Sequence, residues 1–108
     1  MAALRATSFY IGVPSPAPAV DTWTVVATVP AGKRWILKNV HIYNADGVTR
    51  TTSVRIDGAI QILTPNVAAA GFFDQNLYLV LNAGQTLGAF QRAGGHVNYE
   101  LSGYELYV

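Results

Sequence analysis

From Arg34 to Asn44, in "RWILKNVHIYN", apolar and polar residues alternate, and midway the alternation changes phase. Trp35 and Leu37 sit on one parity, Val40 and Ile42 on the other. Strand side chains alternate between faces with a period of two, so an unbroken strand would turn half of this set toward water. One extra residue restores a single apolar face, and the spacing therefore predicts a β-bulge near Lys38–Asn39. With it, Trp35, Leu37, Val40 and Ile42 face a core, while Lys38, His41 and Tyr43 face outward. This pattern suits a sheet covered on one side.

The same period recurs along the chain. Ala6–Val13 reads as a first strand that runs into "PSPAPA". Proline lacks an amide proton and fixes φ, so Pro14, Pro16 and Pro18 mark an extended, polyproline-like connector lying on a surface. Thr22–Val29 is a second strand, ended by Pro30. Thr52, Val54 and Ile56 alternate with polar residues up to Asp57-Gly58, a two-residue hairpin signal, and "AIQIL" returns from it. "TPNVAAAGFFDQ" fits either a short helical turn or a loop crossing between sheets. Leu77, Leu79 and Leu81 share a face, and "TLGAFQ" forms a further strand. Val97, Tyr99 and Leu101 oppose Asn98, Glu100 and Ser102 on the last strand. There Ser102-Gly103 predicts a second bulge that returns Leu106 and Val108 to the core side.

No window keeps the i, i+3, i+4, i+7 spacing of an amphipathic helix clear of Gly, Pro and β-branched residues. About eight strands in 108 residues predict an all-β fold, an antiparallel two-sheet sandwich of jelly-roll or Greek-key type. The organisation expected is an extended N-terminal arm over residues 1–20 and a β-sandwich domain over residues 21–108.

Composition narrows the role. Hydrophobic residues make up 51% and charged residues 12%, about half the usual quarter. A surface so poor in charge is rich in uncharged polar groups or is covered by a partner. The net charge of +1, with no basic cluster beyond Lys33-Arg34, speaks against nucleic acid as a partner. No apolar run approaches the ~20 residues of a membrane helix. "MAALRATSFY" lacks the apolar core of a secretory signal. The chain has no cysteine, which excludes disulfides and thiolate metal sites.

Catalytic patterns are missing. Ala31-Gly32-Lys33 resembles the end of a phosphate loop, but the upstream glycine is absent, Arg34 replaces the hydroxyl residue and a strand follows. The echo "NAGQ" at Asn82–Gln85 keeps the corner without the lysine. Both read as tight turns in which proline or glycine sets φ, and they point to similar places in two halves of the fold. His41 and His96 have no second ligand at metal spacing. Six carboxylates are scattered, and Ser102 in "LSGY" lacks a nucleophile-elbow context. The expectation is a protein with no catalysis, no metal and no cofactor. Trp23 and Trp35 are expected in or beside the core. Tyr99, Tyr104 and Tyr107 crowd the last strand and are read, with Pro14, Pro16 and Pro18, as interface residues; a sugar-stacking platform is the rival reading.

Three segments together, "VPAGKRWILKNVHIYN", "LNAGQTL" and "VNYELSGYEL", resemble small virion structural proteins of tailed bacteriophages. The resemblance runs from Val25 to the C-terminus. It implies a compact β-sandwich that self-associates, as a homotrimer, on a capsid or tail. The function expected from it is head decoration or cement, bridging neighbouring copies of the major capsid protein. The alternatives are a tail or fibre component and a carbohydrate-binding module for host glycans. The location implied is the virion, assembled in the host cytoplasm.

Overall fold

The computed structural model describes residues 6–13, 24–57, 60–91 and 97–108. All of its regular structure is β. The strands are β1 (Ala6–Val13), β2 (Thr24–Thr28), β3 (Lys33–Asn44), β4 (Arg50–Ile56), β5 (Ile60–Leu63), β6 (Asn66–Val67), β7 (Phe72–Asn82), β8 (Thr86–Gln91) and β9 (Val97–Tyr107). One antiparallel sheet has the order β1-β9-β3-β7 and the other β2-β8-β4-β5, with the two-residue β6 attached to β4. With β6 set aside, successive strands change sheet at every step except β4 to β5. This is the jelly-roll connectivity of the two expected alternatives.

The bulge in β3 lies where the change of phase requires it. Both neighbours of β3 shift register between Leu37 and Asn39. As a result Trp35, Leu37, Val40 and Ile42 are all buried. They pack with Val54, Ile56, Leu81, Leu87, Tyr99 and Leu101 between the sheets. Each fully buried Leu or Ile in that layer contributes roughly 1.5–3 kcal/mol of transfer free energy.

The second expected bulge is absent. β9 pairs with β1 in unbroken register from Val13↔Tyr99 to Ala6↔Leu106. Gly103 serves a different purpose: a Cβ there would overlap the Ile36 carbonyl oxygen, where β3 bulges against β9. Hence Leu106 keeps the outward parity of β9, and Val108 is 70% exposed. Three further expectations change. Ile56 pairs with Ile60, so the Asp57 hairpin spans three positions rather than two. The undecided stretch crosses between the sheets, as one alternative had it, but carries β6 and a turn at Ala69–Ala70 on the way to β7. Residues 6–13 are the edge strand of a sheet, with Phe9 stacked on Trp35 at 4.5 Å, rather than an arm beside the sandwich.

The two Ala-Gly corners meet at one end of the sandwich. Gly32 and Gly84 have φ of 75° and 87°, and each turn closes with an i to i+3 bond, Lys33 N–H to Pro30 O and Gln85 N–H to Asn82 O. The corners also bind each other, since Val29 N–H donates to Gln85 O and Gly84 N–H to Val29 O.

Candidate functional site

The sandwich buries one face of the β1-β9-β3-β7 sheet and leaves the other open. On β9 the odd residues Val97, Tyr99 and Leu101 point inward, so Tyr104 points out. On β7 the inward set is Leu77, Leu79 and Leu81, so Phe72, Tyr78 and Val80 point out. Tyr10 on β1 and Tyr43 on β3 follow the same rule. Of the ten exposed large apolar side chains among the described residues, these six stand on this one face. Register makes them neighbours: Tyr104 lies across from Ser8 and Ile36, Ile36 from Val80, and Tyr43 from Phe72.

Between the aromatic zones runs a polar row. Asp74 Oδ2 lies 3.0 Å from His41 Nδ1, and Asp74 Oδ1 accepts from Asn39 Nδ2 at 2.9 Å. The Asn39 and His41 hydrogen bonds hold the Asp74 carboxyl below its ordinary pKa. The Phe72 ring stacks on His41 at 5.5 Å. Where β3 bulges, the face dips into a shallow depression lined by Ser8, Lys38, Ser102, Gly103 and Tyr104. The Lys38 ammonium also reaches toward the Tyr78 ring, 5.1 Å from its centre. An aromatic surface with few charges, on which Asp74 pairs with His41, suits contact with another macromolecular surface.

The structure separates the tyrosines that the sequence grouped together. Tyr104 is half exposed on the outer face. Tyr107 lies at the end of the sandwich with the Lys33 ammonium 3.1 Å above its ring. Tyr99 is a correction: it is fully buried and is no interface residue. Its hydroxyl is bonded to the Ser53 backbone of the opposite sheet, and burial raises its pKa. The inward parity of Val97-Tyr99-Leu101 already contained this result. Pro14, Pro16, Pro18, Trp23 and His96 lie outside the described residues. Tyr10, Phe72, Tyr78 and Val80 were missed; the available signal is a large apolar side chain on the polar phase of an alternating strand.

Glu105, Lys33 and Asp57 have structural roles. Glu105 accepts from the Trp35 indole N–H at 2.8 Å and pairs with Lys33 at 3.5 Å. These contacts, Trp35 foremost, lower its pKa, while Tyr107 chiefly raises that of Lys33. Asp57 takes the Thr86 N–H and Gln85 Nε2, and its pKa is lowered, mostly by Thr86. Asn44, buried at the end of β3, donates to Val48 O, Val67 O and Ala68 O and accepts from Asp46 N–H. It ties the loop after β3 to β6. Among the described residues no group of three or more His, Asp or Glu is arranged to hold a metal.

No protein-family model and no curated protein matches the chain. Solved structures do match its fold. One is from the acid-stable capsid of Helicobacter pylori bacteriophage KHP30, with a TM-score of 0.61 at 9% identity, covering 98% of this chain and 94% of that one. The capsid asymmetric unit of cyanophage Pam1 gives 0.52 at 11% identity, with 97% and 86% covered. A disulfide-linked pilus of the Bacillus endospore appendage gives 0.55 at 11% identity, with 97% and 88% covered. At such identities the likeness is one of fold.

Proposed function

We propose that this chain is a virion structural protein, specifically a head decoration or cement protein that bridges neighbouring capsid subunits. The observation that carries the reading is the outer face of the β1-β9-β3-β7 sheet, where six exposed large apolar side chains gather. A fold shared with phage capsid and pilus chains supports it. In this reading the partners are the major capsid protein and other copies of the chain, as a homotrimer, and the place of action is the virion after assembly in the host cytoplasm. The work is mechanical. Apolar contacts with low charge density release water on docking, and several weak contacts from one oligomer act together through effective concentration. The proposal gives the chain no catalytic role.

The test is binding to empty capsids with Tyr78→Ser and Tyr104→Ser combined. Both side chains point away from the core, so stability should move by no more than about 0.5 kcal/mol each. Affinity for the capsid should fall at least about tenfold. Native protein that does not bind capsids, or a variant that binds unchanged, overturns the reading. Retention of the native protein on a polysaccharide column, lost in the variant, would instead make the face a glycan platform.

A further inference from the structure

The two sheets have four edges, and these are not alike. β2 has five residues with a register break between Val25 and Ala27. β5 has four, with a break opposite Val54 and Arg55. β7 is long, but it is interrupted opposite Lys38 and carries Asp74. Short length, bulges and charge are the devices that keep an open edge from pairing with another strand. β1 has none of them. Its eight residues, ATSFYIGV, contain no charge and no proline, and its register with β9 is unbroken. Among the described residues no strand pairs with its other side.

We propose that this edge is a two-fold contact, in which β1 pairs antiparallel with β1 of a second copy and joins two four-stranded sheets into one. The strand is self-complementary. Antiparallel partners share a face. With the axis at Tyr10, inward Phe9 lies beside inward Ile11 of the second copy, and outward Ser8 beside Gly12. With the axis at Phe9, Thr7 lies beside Ile11 and Ser8 beside Tyr10. In both arrangements the apolar inner rows run on across the seam and no charge meets another. A partner strand must be free of charge on the phase that meets Phe9 and Ile11, and a second copy supplies that phase with the same face pattern. The contact goes beyond the capsid-binding reading and does not depend on it.

Sedimentation of the native protein at micromolar concentration should give twice the chain mass of 11.6 kDa, or six times it where trimers are joined through this edge. A monomer or a lone trimer overturns the inference and leaves capsid binding to its own test. Because the chain has no cysteine, the register can be read chemically. Opposed antiparallel residues lie about 4.5–5.5 Å apart between Cα atoms, within disulfide span. Under mild oxidation, Tyr10→Cys alone should form a covalent dimer if the axis lies at Tyr10, and only when mixed with Ser8→Cys if it lies at Phe9. Val48→Cys, on an exposed loop, is the collision control. No disulfide in either arrangement, or one no faster than the control, sinks the contact.

Discussion

At Gly103 a Cβ would overlap the Ile36 carbonyl oxygen and stand 2.9 Å from its carbonyl carbon. That obstacle is backbone in the middle of a sheet and cannot swing aside. Gly103→Ala should therefore cost at least about 2 kcal/mol, at the upper end for overpacking, as measured by chemical denaturation. The ionisable side chains make a second residue-scale prediction. Glu105, Asp57 and Asp74 are all held below their ordinary pKa values by hydrogen bonds in the folded state. The fold thus prefers their charged forms. Their contribution is complete above the ordinary carboxylate range and is lost as pH falls through the lower folded-state values. Lys33 has the opposite sign: its raised pKa means a contribution lost only as pH climbs above 10.5. Thermal melts should therefore be nearly level around neutrality and decline below about pH 4. Glu105→Gln should lower the plateau and flatten the acid decline, with Asp57 and Asp74 supplying what remains. A decline equally steep in the variant would remove Glu105 from this account.

The β3 bulge is the element-scale device on which the core depends. Its extra residue lets Trp35 and Leu37 share a face with Val40 and Ile42 across two register-shifted neighbours. Deleting Lys38 should leave one of these pairs facing water, a loss of roughly 3–6 kcal/mol that is comparable with the ~5–15 kcal/mol by which such a domain is stable, and so unfold much of the protein. Lys38→Ala keeps the residue count and should fold, with far-UV circular dichroism separating the two outcomes. This bulge could be read from sequence because the misplaced residues are large and apolar. The proposed bulge at Ser102-Gly103 could not be confirmed that way, because a glycine inside a strand signals either a bulge or a close backbone approach. Only the position of Ile36 on the neighbouring strand decides between them. β6 left still less trace: its two residues are held from outside, by Arg50 and Thr51 on β4 and by the buried Asn44.

Across the whole molecule, the outer face of the β1-β9-β3-β7 sheet is apolar at both ends, and its Asp74 and His41 satisfy each other. Docking through it should rest on apolar burial more than on charge. Raising salt from about 50 to 500 mM should then change capsid affinity by less than about tenfold, as read by co-sedimentation. A steep loss with salt would move the contact to the charged groups. This face also shows what was hidden from the sequence. Parity alone sets Tyr104 opposite Tyr99, five positions back on the same strand, but not what lies beside it on the outer face. Tyr10, Tyr43, Tyr78 and Phe72 come from three strands distant in the chain, and only pairing sets them side by side.

Local pattern was enough to determine that the chain is all β, where most strands begin and end, which side of each looks inward, and that β3 carries an extra residue. These depend on the two-residue period and on turn chemistry, which act over a few positions. The sheet each strand joins, the choice of a jelly roll, the bond between Tyr99 and the Ser53 backbone and the open edge of β1 were decided by tertiary structure. They depend on pairings between residues far apart in the chain, where many arrangements satisfy the same local pattern and one buries the apolar faces with its backbone bonds made.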